Sequence, residues 1–595
     1  MEVQPLSALR RYHRLVVLSV CGLPALGTVL LIRLFGTKAL ILDEWGLTYF
    51  FQKLREGELI MNVVWSGNHE HRLVFPRLFF GLVAVLTRWD PRVVMYCSVV
   101  VLLIGWLALV ASLIGSFNLN GRWSIPIFFL CSLILFGPSQ QENWLWAFQF
   151  AFFLILACEL LAIGVMMNKR LGLVARLVAV ASLCIVASFS SAHGLFSWAV
   201  LFPLIVTACL RTKRGWLVAV GWLLLATGVW AIYLNGLDLS QTGGLKSFVA
   251  RPWATGKFAL ELVGNPFVGA VPDQIRAVVA RILGTVILFL NLFSLYQLVR
   301  KIGWSATAPL FSFSLIGLLP WISLSLGRLK WEHHLSSGSK YDTAVIPIAL
   351  SALLQLCVLC HRPNQCESGL TKDAVPSDRK TQRKVSVLLP FAAIFLFTAY
   401  LWNFPDSMAE IPSGAEMERV ADQFSFFSEC LDEHIDGNLN PSPESKVFNI
   451  VLTGLLNRVG MRLLAAGGYR SLIEHPVFID CAATVSGSIT QLKQSLSDPD
   501  RFPIVEVSGS CRVPSGGRFS PFVFVTNSDG SKIIGAQYLP ALQRPKSGEG
   551  LPWMVTVPLS LCRAQAQKIE LSTWVYDKNK KAFCSISRGE LALSN

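Results

Sequence analysis

The stretch Leu73-Val-Phe-Pro-Arg-Leu-Phe-Phe-Gly-Leu-Val-Ala-Val-Leu-Thr87 decides how this chain is threaded. It is apolar, yet it offers only about 15 positions, interrupted by Pro76 and Arg77, where a crossing helix needs about 20. It therefore reads as a helix lying in the membrane interface. With 73–87 left out, apolar segments near 15–35, 93–115, 125–137, 147–167, 174–190, 195–210, 215–235, 277–298, 306–326, 343–360 and 385–402 predict eleven spans. Arg122, Lys169-Arg170-Arg176, Arg211-Lys213-Arg214, Arg300-Lys301 and the basic loop 361–384 then share one face, as the positive-inside rule asks of cytoplasmic loops. If 73–87 crossed, the clusters at 169–176 and 211–214 would lie outside. The eleven-span reading puts the N-terminus in the cytoplasm and everything after 403 outside.

The composition agrees with this class. Of 595 residues, 53% are hydrophobic and only 15% charged, with 18 Trp and 38 Phe, and near-continuous apolar runs recur over the first 400 positions. The net charge of +15 is a topology signal here, because much of the basic excess sits in short loops between apolar segments; a nucleic-acid partner is not expected. Arg10, Arg11 and Arg14 precede the first apolar segment, and no small-residue cleavage site follows it, so it reads as an uncleaved helix.

The chain divides into a transmembrane body (1–402) with a long first external loop (36–92), a helical connector (403–475) and a β-rich extracytoplasmic domain (476–595). In the last, short runs such as Phe502–Ser508, Phe522–Thr526 and Ile569–Tyr576 alternate with Gly, Ser and Pro, which predicts strands and turns of a small β-sandwich. Of the fourteen cysteines, Cys21 to Cys360 have span-like apolar neighbours and read as small core residues. Cys481 with Cys511, or Cys562 with Cys584, are open alternatives for a disulfide. Cys357-x-x-Cys360 has no further ligands, which argues against zinc.

Threaded this way, the polar clusters fall on the external face, and ionisable groups next to hydrocarbon usually mark a site. Asp43-Glu44 follows the first span, ahead of an amphipathic stretch from Leu47 to Leu54. A carboxylate there can act as a general base toward an acceptor hydroxyl, or simply cap a helix. Asn68-His69-Glu70-His71-Arg72 is dense in donors for an anion or a sugar; its two histidines lack a third metal ligand at fixed spacing, so a divalent metal is not supported. Gln140-Gln141-Glu142-Asn143-Trp144, with Trp146 and Gln149, combines amides with indoles, which suits either a membrane anchor or a sugar site. His193 stands among small residues. Arg328, Lys340 and Tyr341, in the segment from Gly327 to Asp342, form the most cationic element of that face and can hold a phosphate.

A multi-span body, an acidic pair opening a long first external loop, interfacial helices in that loop and an external C-terminal domain together resemble the GT-C glycosyltransferases. That superfamily includes protein O-mannosyltransferases and lipid A aminoarabinose transferases. The resemblance is architectural and covers roughly residues 10–402. It implies inverting transfer from a polyprenyl-phosphate sugar to a hydroxyl of a glycan, lipid or protein, outside a bacterial inner membrane and without a cofactor. Carried over, Asp43 becomes the base with Glu44 beside it. Asn68 to Arg72 takes the place of a His-Pro-Pro pattern without its prolines, and Arg328 with Lys340-Tyr341 matches the late loop that binds donor phosphate. No GxxxxGK[ST] loop is present, in keeping with a donor that is not a nucleotide. The competing classes are a transporter or flippase, which needs polar groups at mid-membrane depth, and a non-catalytic envelope-polysaccharide assembly protein.

Overall fold

The computed structural model describes residues 4–36, 44, 47, 50–51, 54, 61–68, 71–87, 89–119, 123–209, 214–237, 250–268, 271–327 and 341–361. Beyond these it describes the strand residues 478–479, 486–495, 504–512, 519–527, 533–538, 551–558, 564–565, 568–577 and 582–592. They fall into two units: Met1–Thr37 with Leu59–Ala415, and Lys38–Glu58 with Glu416–Asn595.

The first unit is helical. Its longer helices are α1 (Gln4–Phe35), α2 (Val74–Thr87), α3 (Pro91–Phe117), α4 (Ser124–Leu135), α5 (Phe150–Met167) and α6 (Leu173–Ser188), followed by α7 (Ser197–Cys209), α8 (Gly215–Leu234), α9 (Pro252–Gly264), α10 (Asp273–Ile302), α11 (Trp304–Gly327) and α12 (Asp342–His361). Among the described residues, nine helices are long and apolar enough to cross a membrane, and the protein is a polytopic helical membrane protein. Two expected spans come out differently. The segment expected at 174–190 is the 16-residue α6, about 24 Å long and short of a hydrocarbon core of about 30 Å. The segment expected at 385–402 lies outside the described residues, as does the connector at 403–475. The short span expected at 125–137 is extended by two further turns, so that the apolar run reaches Ser124–Trp144. The stretch 73–87 forms the 14-residue α2, too short for a crossing.

Local chemistry sets the helix ends and contacts. Asp90 caps α3 by accepting the Arg92 N–H at 3.1 Å, Pro91 occupies the first turn, and Asn118 ends the helix at φ 52°. Gly105 lets α3 and α5 approach until a Cβ would stand 2.8 Å from the Ala157 carbonyl oxygen, the close packing that small residues permit between membrane helices. Polar pairs join other helices: Trp106 Nε1 donates to Ser132 Oγ at 2.7 Å, and Thr28 Oγ1 to the Phe136 carbonyl at 2.6 Å.

The second unit contains Glu44, Leu47, Phe50 and Phe51, all buried at helical spacing. Its strands are β3 (Phe478–Ile479), β4 (Ser486–Ser495), β5 (Ile504–Arg512), β6 (Phe519–Asn527), β7 (Ile533–Tyr538), β8 (Leu551–Pro558), β9 (Ala564–Gln565), β10 (Lys568–Asp577) and β11 (Ala582–Ala592); β1 (Gly67–Asn68) and β2 (His71–Arg72) belong to a hairpin of the first unit. One sheet runs β3-β11-β10-β6-β7 with β9 on β10, and another runs β4-β5-β8. β10, paired on both sides, is buried continuously from Leu571 to Val575, whereas β5 buries every other residue at Val507, Gly509 and Cys511. Cys511 is a free, buried thiol, so the alternative that paired it with Cys481 is corrected. Cys584 is disulfide-bonded.

Candidate functional site

At one end of the helix bundle, segments far apart in sequence are tied together by amides, hydroxyls and carboxylates. After α4, the chain turns at Gly137, and Pro138 starts a 3-10 turn (Pro138–Gln140) that leads into the helical turn Gln141–Trp144. Trp144 pins this turn. Its indole is fully buried, stacks on Phe153 at 4.1 Å and Phe136 at 6.0 Å, and donates to the Gly137 carbonyl at 3.2 Å. It is a packing residue, neither a membrane anchor nor a platform for a sugar ring.

With the turn fixed, Asn143 Nδ2 donates to Thr343 Oγ1 at 2.8 Å, the Thr343 hydroxyl donates to Gln140 Oε1 at 2.6 Å, and Gln140 Nε2 donates to the Leu135 carbonyl at 2.8 Å. All three side chains are buried. Next to Thr343, the buried carboxylate of Asp342 in the first turn of α12 accepts a long hydrogen bond from Asn265 Nδ2 at 3.4 Å. Glu142, in the helical turn Gln141–Trp144, is exposed. Tyr341 packs against Phe258, Leu262, Leu324 and Val345. Gln141, Glu142, Asn143 and Tyr341 are thus brought together, and Gln140, Asn265, Asp342 and Thr343 join them. The Oε1 atoms of Gln141 and Gln149 and the hydroxyl of Ser139 find no donor among the described residues.

A second cluster lies at the same end. Gly67–Asn68 (β1) and His71–Arg72 (β2) pair as a two-stranded hairpin, with Asn68 opposite His71. His71 Nδ1 accepts the Ala192 N–H at 3.3 Å and lies 3.2 Å from Ser191 Oγ, which makes Nδ1 the bare nitrogen and puts the ring proton on Nε2. The His193 ring lies 6.3 Å from that of His71 and 5.5 Å from Phe152. Gly194 permits this: a Cβ there would collide with the Ala187 carbonyl at the end of α6. Among the described residues, no group of three or more His, Cys, Asp or Glu could hold a metal ion.

Arg72 spends most of its guanidinium on the protein itself. Its Nε donates to the Tyr233 carbonyl at 2.5 Å, Nη1 to the Trp65 carbonyl at 2.6 Å, and Nη2 to the Asn235 carbonyl; the guanidinium also lies 4.8 Å from the centre of the Trp65 ring. Three of its five N–H groups therefore bind the backbone, two of them at the C-terminal end of α8, where a helix carries unpaired carbonyls. Burial holds the guanidinium below its ordinary pKa, and Tyr233 opposes that shift. Arg77 acts similarly from α2: its Nη1 reaches the Val63 carbonyl at 2.8 Å, and burial lowers its pKa to about 10, which leaves it charged at neutral pH.

Asp43, His69, Glu70, Arg328 and Lys340 lie outside the described residues, and Glu44 belongs to the second unit. One buried carboxylate went unnoticed in the sequence. Glu159 is 4% exposed and accepts the Ser197 hydroxyl at 2.8 Å. It stands twelve residues into the span Ala147–Met167, about 18 Å along the helix. The signal was present, since Glu159 is the only charged residue of Phe150–Met167. Comparison with protein-family models, with curated proteins and with solved structures returned no match.

Proposed function

We propose that this protein is a GT-C-like membrane glycosyltransferase that moves a sugar from a polyprenyl-phosphate donor to a hydroxyl acceptor on the extracytoplasmic face of a bacterial inner membrane. The supporting observation is the end cluster in which Gln141, Gln149 and Ser139 keep acceptor oxygens without donors, alongside the linked Gln140, Asn143 and Thr343. A buried acceptor left unpaired costs about 1–3 kcal/mol. A ligand rich in hydroxyl groups supplies the missing donors. The disulfide at Cys584 accords with an oxidising compartment for the second unit.

In this mechanism, Asp43 or Glu44 takes the proton of the acceptor hydroxyl as its oxygen attacks the anomeric carbon in line. The sugar–phosphate bond breaks, and the polyprenyl phosphate leaves with the bonding electrons. Arg328 and Lys340 stabilise its charge, an electrostatic contribution that is usually the largest single one in such catalysis. Arg72 holds the hairpin that carries His71 against α8, so it positions the site rather than gripping phosphate. In this reading the second unit is a β-sandwich that binds the acceptor.

The test is transfer of labelled sugar from a polyprenyl-phosphate donor by purified Asp43→Asn, Glu44→Gln and Glu142→Gln proteins of verified fold. Loss of transfer in Asp43→Asn or Glu44→Gln identifies the base. Wild-type rates in both overturn that assignment, and loss only in Glu142→Gln moves the base to the end cluster. A second reading, a transporter or flippase, is favoured by one observation, the carboxyl of Glu159 at mid-membrane depth. Lipid translocation that Glu159→Gln abolishes, in a protein inactive in transfer, would support it.

A further inference from the structure

Below the His71 cluster, a groove of about 320 Å³ runs between α7 and α8. Leu195, Trp198, Ala199, Trp222, Ala226 and Trp230 line it. Its volume falls in the range of small-ligand sites, about 300–1,000 Å³. Both helices belong to candidate spans, so the groove lies at the depth of the hydrocarbon.

The wall offers no free side-chain donor, because each indole N–H and the one hydroxyl proton are already engaged within the protein. Trp198 Nε1 donates to Ser188 Oγ at 3.0 Å, Trp222 Nε1 to the Trp198 carbonyl at 3.0 Å, and Trp230 Nε1 to the Leu195 carbonyl at 3.2 Å. Thr227, the hydroxyl on the wall, donates to the Leu223 carbonyl at 2.9 Å. What remains is ring and methyl surface, which suits a chain that needs no hydrogen bonds. A polar ligand would lose its own hydrogen bonds there without replacement.

One end of the groove runs into the polar cluster. Leu195 belongs to the 3-10 segment Ala192–Phe196, which also carries His193 and follows Ser191. On α8, Trp230 lines the groove, and Tyr233, about 4.5 Å further along the axis, accepts the Arg72 backbone N–H through its hydroxyl. Hydrocarbon-compatible wall and polar cluster therefore adjoin just before the start of α7 and at the end of α8. We infer that the groove binds the hydrocarbon tail of a lipid whose polar head rests at Ser191, His71 and His193. Resting on the glycosyltransferase reading, this assigns the tail of the lipid-linked donor to the face between α7 and α8.

The test uses the full chain in nanodiscs of unbrominated phosphatidylcholine and follows tryptophan fluorescence. The probe is a long-chain alkyl phosphate brominated along its chain, which quenches indoles that it touches. Saturable quenching is expected in the wild type. Ala199→Phe, at an exposed position, should remove the saturable component and leave only the linear quenching that brominated phosphatidylcholine produces; Ala226→Phe serves as a second filled-groove variant. His193→Ala should raise the half-saturating concentration several-fold at unchanged maximal quenching. Saturable quenching that persists in both filled variants overturns the inference. A brominated alkyl glucoside of the same chain separates the two readings. If it saturates the wild type as tightly as the phosphate and both filled variants abolish that, the tail groove stands and the phosphate-headed donor falls.

Discussion

Replacing Arg72 with methionine keeps a long apolar stem and removes the guanidinium, so it separates a residue that clamps the chain from one that grips phosphate. In the structure, three N–H groups of Arg72 reach carbonyls of Tyr233, Trp65 and Asn235, with the charge over the Trp65 ring. Hydrogen bonds from a charged donor each contribute about 1.5–3 kcal/mol, and such contributions within one cluster do not add in full. The expected loss is about 3–5 kcal/mol, a Tm drop on the order of 4–6 °C for a unit of this size in thermal unfolding of the detergent-purified protein. Lysine should recover only part of it, because an ammonium cannot reach three divergent carbonyls with the geometry of a planar fork. Donor affinity at temperatures well below unfolding should change little. An Arg72→Met protein with wild-type Tm and lost binding of a polyprenyl-phosphate probe would refute this argument and return Arg72 to the phosphate.

Two further outcomes follow from the geometry. Thr343→Val keeps the shape of the side chain but breaks both links of the Asn143–Thr343–Gln140 chain; it should cost about 1–2 kcal/mol, in the range measured for hydrogen bonds between membrane helices, while Thr343→Ser restores most of it in the same unfolding assay. Cys511 is fully buried, and burial raises its thiol to about 11, so at pH 8 it stays protonated; iodoacetamide at that pH should alkylate it only after denaturation, and mass spectrometry of the native protein should find it unmodified.

The hydrophobic pattern carried the class of this protein, because a span is a local property of about 20 consecutive residues and needs no partner to be recognised. For the same reason, α2 could be read as too short to cross from Leu73 to Thr87 alone. The acidic, amide-rich and histidine-bearing clusters were also visible as local sequence. Their partners were not. That Thr343 joins Asn143 to Gln140, across about 200 positions, depends on how α12 packs beside the turn after α4. The contacts of Arg72 were hidden for a related reason: a guanidinium near a membrane suits a phosphate as well as it suits the end of a helix, and only the fold brings Tyr233 and Asn235 within its reach. Sequence by itself determined the membrane class and which residue types crowd one end of the bundle. Tertiary structure alone decided which of them are satisfied by protein and which oxygens find no donor among the described residues, because hydrogen bonding is a matter of distance in space rather than of position along the chain.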